Sequence, residues 1–295
     1  MARFVVTGGA GFIGSNLVDA LIARGDEVRV IDNFSTGKRE NLNSRAELFE
    51  ADISDLEAIR PAFAAVNGVF HVAALPRIPL SIAEPAKTNA TNIDGTLNVL
   101  IAAKDAGVKR LVYSASSSAY GNQEKLPFTE DMPTNPLNPY GLQKYVGELY
   151  SRVFSQIFGI ETVSLRYFNV YGPRMATEGA YTTVMAAFIK QKAAGAALLI
   201  YGDGDQTRDF THVDDVVRAN LLAMESPRVG KGEVINIGAG ENHSVNEIAK
   251  FFGGPVEYLP ARPGEMRHTL ADTSRGRDLL GWEPRVKFQD GLKRI

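Results

Sequence analysis

The sequence predicts an α/β protein, with a doubly wound parallel sheet and a smaller α/β domain interleaved late in the chain. Three observations predict this fold. Short apolar runs alternate with longer amphipathic runs through the first half of the 295 residues, which is typical of a parallel sheet with helices on both faces. A glycine-rich turn lies between the first run and the first amphipathic segment. After about residue 171 the segments shorten and turns become more frequent.

The first strand and helix have the clearest patterns. Residues 3–7 are rich in β-branched and aromatic side chains and end at glycine, which predicts a buried strand. Residues 12–24 place Leu17 and Leu21 at helical spacing, and Gly25 is a suitable stop. The same criteria predict further strands at 28–31, 47–50, 68–72, 110–114 and 161–166, and helices at 55–65, 86–106 and 140–158.

The second half predicts a discontinuous domain. It contains a helix at 181–194, a strand at 198–201, a helix at 244–252 and a helix that begins near Phe288. Apolar runs at 213–224 and 233–237 are suited to return to the first sheet. We therefore expect a larger domain of residues 1–170 that also receives about 213–242, and a smaller domain of 171–212 and 243–295.

Composition excludes several classes of function. Thirty-two Lys and Arg against 34 Asp and Glu give a formal charge of −2, so no basic surface for nucleic acid or an anionic membrane is expected. The absence of cysteine excludes disulfides, thiolate zinc sites and a cysteine nucleophile. No metal-ligand spacing is visible, no window approaches the ~18 apolar residues of a membrane span, and no signal-type segment precedes the first strand. We expect a cytoplasmic protein.

The glycine-rich turn predicts a dinucleotide site. Gly8, Gly11 and Gly14 have the spacing G-x-x-G-x-x-G between a strand and a helix, where glycines permit a tight turn, approach of a pyrophosphate and close packing of the helix. Asp32 ends the second strand, at the position where a carboxylate accepts hydrogen bonds from a ribose. That carboxylate would repel a 2′-phosphate, which favours NAD over NADP. The glycine turn between a strand and a helix predicts that the sheet is of the Rossmann type.

A second constellation predicts acid–base chemistry. Ser116 follows the strand at 110–114, while Tyr140 and Lys144 lie one helical turn apart on one face. An ammonium near the phenol lowers its pKa from ~10 and makes Tyr140 a usable general base. Such a Tyr–Lys pair taken alone is more typical of a solvated helix face, and the upstream dinucleotide turn favours the functional interpretation.

These motifs resemble a known family. TGGAGFIG, the serine loop, Tyr140-x-x-x-Lys144 and Arg166-Tyr-Phe-Asn-Val-Tyr-Gly-Pro173 together are similar to the extended short-chain dehydrogenase/reductases of the NAD-dependent epimerase/dehydratase family, and most similar to the UDP-glucose (UDP-N-acetylglucosamine) 4-epimerases. The resemblance implies that Tyr140 removes the proton of the sugar 4-hydroxyl while NAD takes the C4 hydride and returns it to the other face of the rotated 4-ketose. Ser116 would bridge tyrosine and substrate.

The resemblance also assigns binding residues. Besides the three glycines, Asp32, Tyr140 and Lys144, the cofactor positions are Phe12, Ile13, Asn33, Asp52, Ile53, Ala73, Ala74, Asn92, Ser114 and Tyr167. The positions for the nucleotide sugar, besides Ser116 and Tyr140, are Asn169, Arg208 and Arg262 at the diphosphate, Tyr201 and Glu265 at the uridine, and Thr269 at the sugar 2-position. Taken singly, the two arginines are more typical of surface charges, and Tyr201 is also compatible with a core position. Arg77 departs from the family pattern and could contact the sugar.

A few positions distinguish the related activities within this family. Ser117 and Ser118 stand where dehydratases and decarboxylases of this family carry acidic residues, which argues against both classes. Threonine at 269 is small, so N-acetylated UDP-hexoses are expected as substrates beside the plain pair. UDP-glucuronate 4-epimerisation, another nucleotide-sugar activity, or a non-catalytic nucleotide-sugar-binding role remain as alternatives. The family implies a homodimer built on helices 86–106 and 140–158.

Overall fold

The computed structural model describes residues 1–176, 183–261 and 266–295. Within these ranges the centre is a seven-stranded sheet in which every neighbouring pair is parallel, with the order β3-β2-β1-β4-β5-β6-β9. Its strands are β1 (Arg3–Thr7), β2 (Glu27–Asp32), β3 (Glu47–Glu50), β4 (Gly68–His71), β5 (Arg110–Ser116), β6 (Glu161–Tyr167) and β9 (Lys231–Ile237). The strand order reverses between β1 and β4, which is where ligands of such sheets bind. The predicted doubly wound fold is confirmed.

Helices cover both faces of the sheet. They are α1 (Phe12–Ala23), α2 (Leu56–Ile59), α3 (Ile78–Ala83), α4 (Pro85–Asn89), α5 (Gly95–Asp105), α6 (Pro139–Phe158) and α8 (Val213–Glu225). One apolar core lies beneath α1 and α8, with Leu17 and Val216 fully buried, and another beneath α5 and α6, with Leu100 and Phe154 buried. None of the helices in the described ranges is long and apolar enough to cross a membrane.

Two predicted helices are interrupted. The segment 55–65 forms α2, capped by the Asp55 side chain, and then a 3-10 turn over Arg60–Phe63; Pro61 has no N–H with which to continue α-helical bonding. The segment 86–106 contains a π-helical turn over Ala90–Asp94 between α4 and α5. π-turns within helices are frequent at functional sites, and this one carries Asn92.

The later part of the chain adds two small sheets. β7 (Leu198–Tyr201) pairs in parallel with β11 (Val256–Leu259), and β8 (Thr207–Asp209) pairs antiparallel with β10 (Asn242–Ser244). The associated helices are α7 (Val184–Ala193), α9 (Val245–Phe252), α10 (Ser274–Leu280) and α11 (Phe288–Leu292). β8 and β10 were not predicted because strands of three residues carry too little periodicity. β11 was not predicted because its residues are mostly exposed and form no apolar run. Of the predicted helix 181–194, residues 181 and 182 lie outside the described residues. The division into two domains stays a prediction.

Candidate active site

A cavity of about 500 Å³ lies at the carboxyl ends of the sheet strands and extends to the small sheets. It brings together most of the residues that the sequence and the resemblance assigned to the site. These are Gly8, Gly11, Phe12, Ile13, Gly14, Asp32, Asn33, Asp52, Ile53, Ala73, Ala74, Ser114, Ser116, Tyr140, Lys144, Tyr167, Asn169, Tyr201 and Arg208. Residues that are more than a hundred positions apart in the chain therefore share one wall.

The glycine turn is built by close backbone contacts. Gly8 has a φ of +70°, and its N–H donates to the Ile31 carbonyl at 2.7 Å. A Cβ on Gly8 would lie 2.8 Å from the Ala73 Cα, and one on Gly14 would lie 2.1 Å from the Gly8 carbonyl oxygen. Neither position tolerates a side chain, so glycine is required for the turn to pack closely against Ala73 and the start of α1.

A buried histidine holds the opposite wall of this turn. His71 at the end of β4 hydrogen-bonds through Nδ1 to the Thr7 hydroxyl at 2.7 Å and through Nε2 to the Thr96 hydroxyl at 2.9 Å. Burial, with a smaller contribution from the charge of Lys144, lowers the pKa of His71 to about 3. The imidazole is therefore neutral and structural, since it fixes Thr7, whose hydroxyl accepts the Ala73 N–H at 3.1 Å.

Three polar residues form the end of the cavity beyond the glycine turn. The Asp32 carboxylate accepts the backbone N–H groups of Ala10 at 2.9 Å and Phe34 at 2.8 Å. Asn33 donates through Nδ2 to the Asp52 carboxylate at 2.6 Å. Burial raises the pKa of Asp52, but hydrogen bonds from Ser54 and Asn33 outweigh it, so the net pKa lies below its ordinary value.

These features fit NAD. The glycine turn, whose backbone leaves no room for a Cβ at Gly8 or Gly14, lies at the N-terminus of the 12-residue helix α1, where backbone N–H groups attract phosphate. Asp32 stands in the cavity wall with lone pairs free for a ribose hydroxyl. A carboxylate fixed there disfavours an added phosphate.

The three predicted catalytic residues meet at the middle of the cavity. Ser116 ends β5, and Tyr140 and Lys144 occupy the first two turns of α6, whose N-terminus is capped by the Asn138 side chain. The helix approaches the loop after β5 closely, since a Cβ on Gly141 would lie 2.5 Å from the Ser118 carbonyl oxygen. This approach brings the Tyr140 side chain into hydrogen-bonding range of the Ser116 side chain.

Burial acts on both ionisable groups of this site. The Lys144 ammonium donates to the Ser114 carbonyl at 2.7 Å, and burial, partly opposed by Glu148, lowers the pKa of Lys144 to about 7. Burial raises the pKa of Tyr140 above its ordinary value, while the Ser116 hydrogen bond and the charge of Arg77 act in the opposite direction. Desolvation is therefore the largest influence on the pKa of Tyr140, and the lowering of this pKa by Lys144 stays a prediction.

The far end of the cavity is organised by an aspartate that sequence reasoning missed. Asp209 is fully buried, and its carboxylate accepts the N–H groups of Ala239 at 2.6 Å, Gly240 at 3.0 Å and Ala271 at 3.0 Å. Burial raises the pKa of Asp209 to about 6 despite these hydrogen bonds. Arg208 precedes it and faces the cavity. The sequence signal that could have identified Asp209 is an acidic residue directly between Arg208 and the apolar Phe210.

Two assigned residues do not reach the cavity wall. Thr269 is fully buried, and its hydroxyl accepts the Asp209 N–H at 3.2 Å and the Asn169 Nδ2–H at 3.3 Å. It holds Asn169, which lines the cavity, and its place at the sugar 2-position stays a prediction. Asn92 is 1% exposed and bonds to Leu75 and Gln143, which gives it a supporting position. Arg262 and Glu265 lie outside the described residues.

No group of three or more His, Cys, Asp or Glu side chains suited to a metal ion occurs in the described ranges.

Known proteins share both the sequence and the fold. The sequence model of the "NAD dependent epimerase/dehydratase family" matches residues 4–238. A putative UDP-glucose 4-epimerase of Methanocaldococcus jannaschii is 39% identical over 99% of this chain and 96% of its own length. A UDP-glucose 4-epimerase of Thermotoga maritima, solved with UDP-glucose, is 42% identical with a TM-score of 0.94, covering 99% of this chain and 96% of that one.

A third similar protein is named for a different substrate. The UDP-N-acetylglucosamine 4-epimerase of Methanobrevibacter ruminantium, solved in complex with UDP-N-acetylmuramic acid, is 38% identical with a TM-score of 0.93 and covers 99% of this chain and 96% of that one. The resemblance predicted from the motifs and the requirement for NAD are thereby confirmed, and the chain belongs to the NAD dependent epimerase/dehydratase family.

Proposed function

We propose that the protein interconverts the two C4 epimers of a UDP-hexose, either UDP-glucose and UDP-galactose or their N-acetylated counterparts. One observation carries the proposal: Ser116, Tyr140 and Lys144 line the middle of a single cavity, between the glycine turn and the arginine-bearing end. A nucleotide sugar held at Arg208 would extend its hexose toward Tyr140, and a dinucleotide held at Gly8 would approach from the other side.

The protein's residues would have separate tasks. NAD, when bound, supplies a hydride acceptor and donor for C4. The Tyr140 oxygen takes the proton of the sugar 4-hydroxyl and returns it, while the Ser116 hydroxyl donates to the same substrate oxygen and orients it. Lys144, anchored on the Ser114 carbonyl, is proposed to donate to the nicotinamide ribose.

The remaining assigned residues would hold the nucleotide. Arginine suits diphosphate oxygens through its fixed charge and fork of donors, so Arg208 and Arg262 are proposed for the diphosphate together with Asn169. Tyr201 and Glu265 are proposed for the uridine. Ser117 and Ser118 also line the cavity, and neither can act as a carboxylate base, which supports epimerisation over dehydration or decarboxylation.

Room for an N-acetyl group is part of the proposal. Thr269 contributes to this room because its side chain is small. It is fully buried behind Asn169 and takes no space in the cavity. Met266, from the same segment, lines the cavity instead. Since a methionine side chain adapts its shape readily, this wall can accommodate either a hydroxyl or an acetamido group.

A second candidate is the 4-epimerisation of UDP-glucuronate. Arg77 is a cation in the cavity wall, and a sugar carboxylate would pair with it. NMR-monitored incubation of the NAD-loaded enzyme with the four neutral UDP-hexoses and UDP-glucuronate separates the two candidates. Conversion of UDP-glucuronate alone would contradict the first proposal, and conversion of the plain pair alone would contradict the N-acetyl part.

The general base is tested by Tyr140→Phe. This variant should lose at least about 1,000-fold in turnover, within the range attributed to general acid–base catalysis, and should still bind UDP. Tyr145→Phe is the matched control, because Tyr145 lies on the same helix and outside the cavity. An active Tyr140→Phe enzyme would contradict the assignment.

We also propose a homodimer. α6 exposes large apolar side chains at helical spacing, with Leu142 50%, Val153 45% and Ile157 69% exposed. Exposed apolar side chains along one side of a helix are suited to pairing with a second copy.

A further inference from the structure

The carboxylate of Asp209 joins three segments of the chain at the end of the cavity that carries Arg208. Its Oδ1 accepts the N–H of Ala239 at 2.6 Å, and its Oδ2 accepts the N–H groups of Gly240 and Ala271, each at 3.0 Å. Ala239 and Gly240 follow β9, the edge strand of the large sheet, whereas Ala271 lies between β11 and α10. One side chain therefore ties β8 both to the large sheet and to the later part of the chain.

The loop after β9 is shaped around this carboxylate. A Cβ on Gly238 would lie 2.8 Å from the Asp209 Oδ2 and 2.3 Å from the Ala271 Cβ. Gly240 has a φ of +73°, a backbone conformation that residues with a side chain rarely adopt. The two glycines therefore allow the loop to bring its N–H groups to Asp209.

The backbone of Asp209 fixes a residue of the cavity wall. Its carbonyl oxygen accepts from the Asn169 Nδ2 at 2.9 Å, and its N–H donates to the Thr269 hydroxyl at 3.2 Å. That hydroxyl also accepts from the Asn169 Nδ2 at 3.3 Å. Asn169 has a φ of +25°, which is uncommon for a residue other than glycine and persists only where the surrounding structure holds it. Asn169 lines the cavity, so its position there depends on Asp209 and Thr269.

Arg208 lies on the other side of the same strand. Successive side chains of a strand point to opposite faces, and Asp209 is fully buried whereas Arg208 lines the cavity. The Arg208 Nη1 donates to the carbonyl oxygens of Thr207 at 3.0 Å and Arg267 at 3.2 Å. The Thr207 N–H donates to the same Arg267 carbonyl at 3.1 Å. A displacement of β8 from the segment that contains Arg267 and Ala271 would therefore move the guanidinium.

We propose that Asp209 is a positioning residue for the diphosphate of the nucleotide sugar: its carboxylate and backbone set the distance between Asn169 and Arg208, two of the residues proposed to hold that group. The proposal rests on the proposed function in so far as the ligand carries a nucleoside diphosphate. Asp209 does not line the cavity, so it acts through these two residues and not by contact with the ligand. A displacement of about 1 Å in such a pair is enough to cost much of the binding.

Asp209→Asn removes this anchor with almost no change in size. Both carboxylate oxygens accept backbone N–H groups, so whichever way the new amide turns, its NH2 group faces at least one N–H donor. β8 must then move away from the loop after β9 or from Ala271. We expect the Kd of UDP to rise at least about tenfold, the effect of losing one hydrogen bond to a charged group. The Kd of NAD should not change, because the glycine turn lies at the other end of the cavity.

Asp215→Asn is the matched control. Asp215 is 2% exposed, and its carboxylate accepts the backbone N–H groups of Arg285 at 3.0 Å and Val286 at 2.9 Å. The Arg218 guanidinium donates to it at 2.9 Å. Like Asp209, it anchors a distant segment through backbone donors, but the residues that it holds lie outside the cavity. Asp215→Asn should therefore lower the free energy of unfolding without changing the Kd of UDP.

The test is calorimetric titration of UDP and of NAD with wild type and both variants. It is carried out well above pH 6, because burial raises the pKa of Asp209 to about 6 and the carboxylate must be ionised. In steady-state kinetics with a UDP-hexose, KM should rise about tenfold in Asp209→Asn while kcat changes little, the result expected when binding common to ground state and transition state is lost. In wild type, amide hydrogen exchange over 238–241 and 269–272 should slow when UDP binds, because coupling between two sites is reciprocal.

Three outcomes would overturn the proposal. The first is an unchanged Kd of UDP in Asp209→Asn. The second is an equal rise in Asp215→Asn, which would trace the effect to general destabilisation. The third is unchanged exchange over 238–241 and 269–272 on addition of UDP, and this measurement decides the outcome if Asp209→Asn does not fold. Wild type that binds no UDP contradicts the proposed function and this proposal with it, whereas equal UDP binding by wild type and Asp209→Asn overturns this proposal alone.

Discussion

The substitution Gly14→Ala tests how the glycine turn is built. The new Cβ would lie 2.1 Å from the Gly8 carbonyl oxygen, 2.8 Å from its carbonyl carbon and 3.0 Å from the Gly9 Cα. All three neighbours are backbone atoms, so no side chain can move aside. The first helical turn must shift away from β1 by about 1 Å to restore a tolerable contact, since the 2.1 Å separation has to reach at least 3.0 Å.

This shift should weaken NAD binding and destabilise the fold. Overpacking against fixed backbone costs about 1–3 kcal/mol of unfolding free energy. The same movement displaces N–H groups at the N-terminus of α1, and losing one hydrogen bond to a charged phosphate costs about 1.5–3 kcal/mol. We therefore expect roughly a 10- to 150-fold loss of NAD affinity. Calorimetric titration of NAD and urea unfolding of the NAD-free protein measure the two effects.

Gly11→Ala is the matched control within the same turn. Its Cβ would lie 3.2 Å from the Gly8 carbonyl oxygen, a contact relieved by a few tenths of an ångström. We expect a loss of unfolding free energy below about 1 kcal/mol, the effect of alanine at an N-cap. NAD binding should weaken here too, because this position faces the cavity. An unchanged free energy of unfolding in Gly14→Ala, or an equal loss in both variants, would refute the packing argument.

Two further predictions concern stability and assembly. The pKa of His71 is about 3 in the folded protein against an ordinary value of 6.5, so the unfolded chain takes up a proton first and stability falls as the pH drops from 6.5 toward 3. In urea unfolding, wild type should lose its advantage over His71→Gln by about 1.4 kcal/mol per pH unit in that window, and a difference that stays constant with pH would contradict this. Ile157→Glu places a charge on the exposed apolar face of α6 and should convert a dimer to a monomer in light scattering. Phe251→Glu, at an exposed apolar residue of α9, is the control and should leave the mass unchanged. An unchanged mass in Ile157→Glu would contradict the proposed interface.

Asn92 shows that the residues that support the site could not be predicted from a single sequence. The resemblance placed Asn92 at the cofactor, but its side chain instead joins Leu75 to Gln143 across two helices. A π-turn over Ala90–Asp94 carries it. Helical spacing of the apolar residues in 86–106 is nearly the same with and without such a turn, so periodicity predicts the helix and not its interruption.

Thr269 and Asp209 illustrate the same limit at the other end of the cavity. The size of Thr269 is visible in the sequence, whereas its burial behind Asn169 follows from the pairing of Asp209 with the chain around Ala271. These contacts join segments about 60 residues apart. No local pattern reports which backbone N–H groups a distant carboxylate will satisfy.

The sequence by itself determined the parallel sheet and the glycine turn, because each depends on spacing within one strand, turn or helix. It singled out Ser116, Tyr140 and Lys144 only together with that turn and with the family resemblance. Only the tertiary structure decided what surrounds Tyr140. It buries Lys144 against the Ser114 carbonyl and brings Arg77 to the same cavity through a loop held by Asn92. The physical reason is that a pKa depends on desolvation and on charges from every element around a group. Spacing in the sequence reports only the neighbours within a single helix or strand.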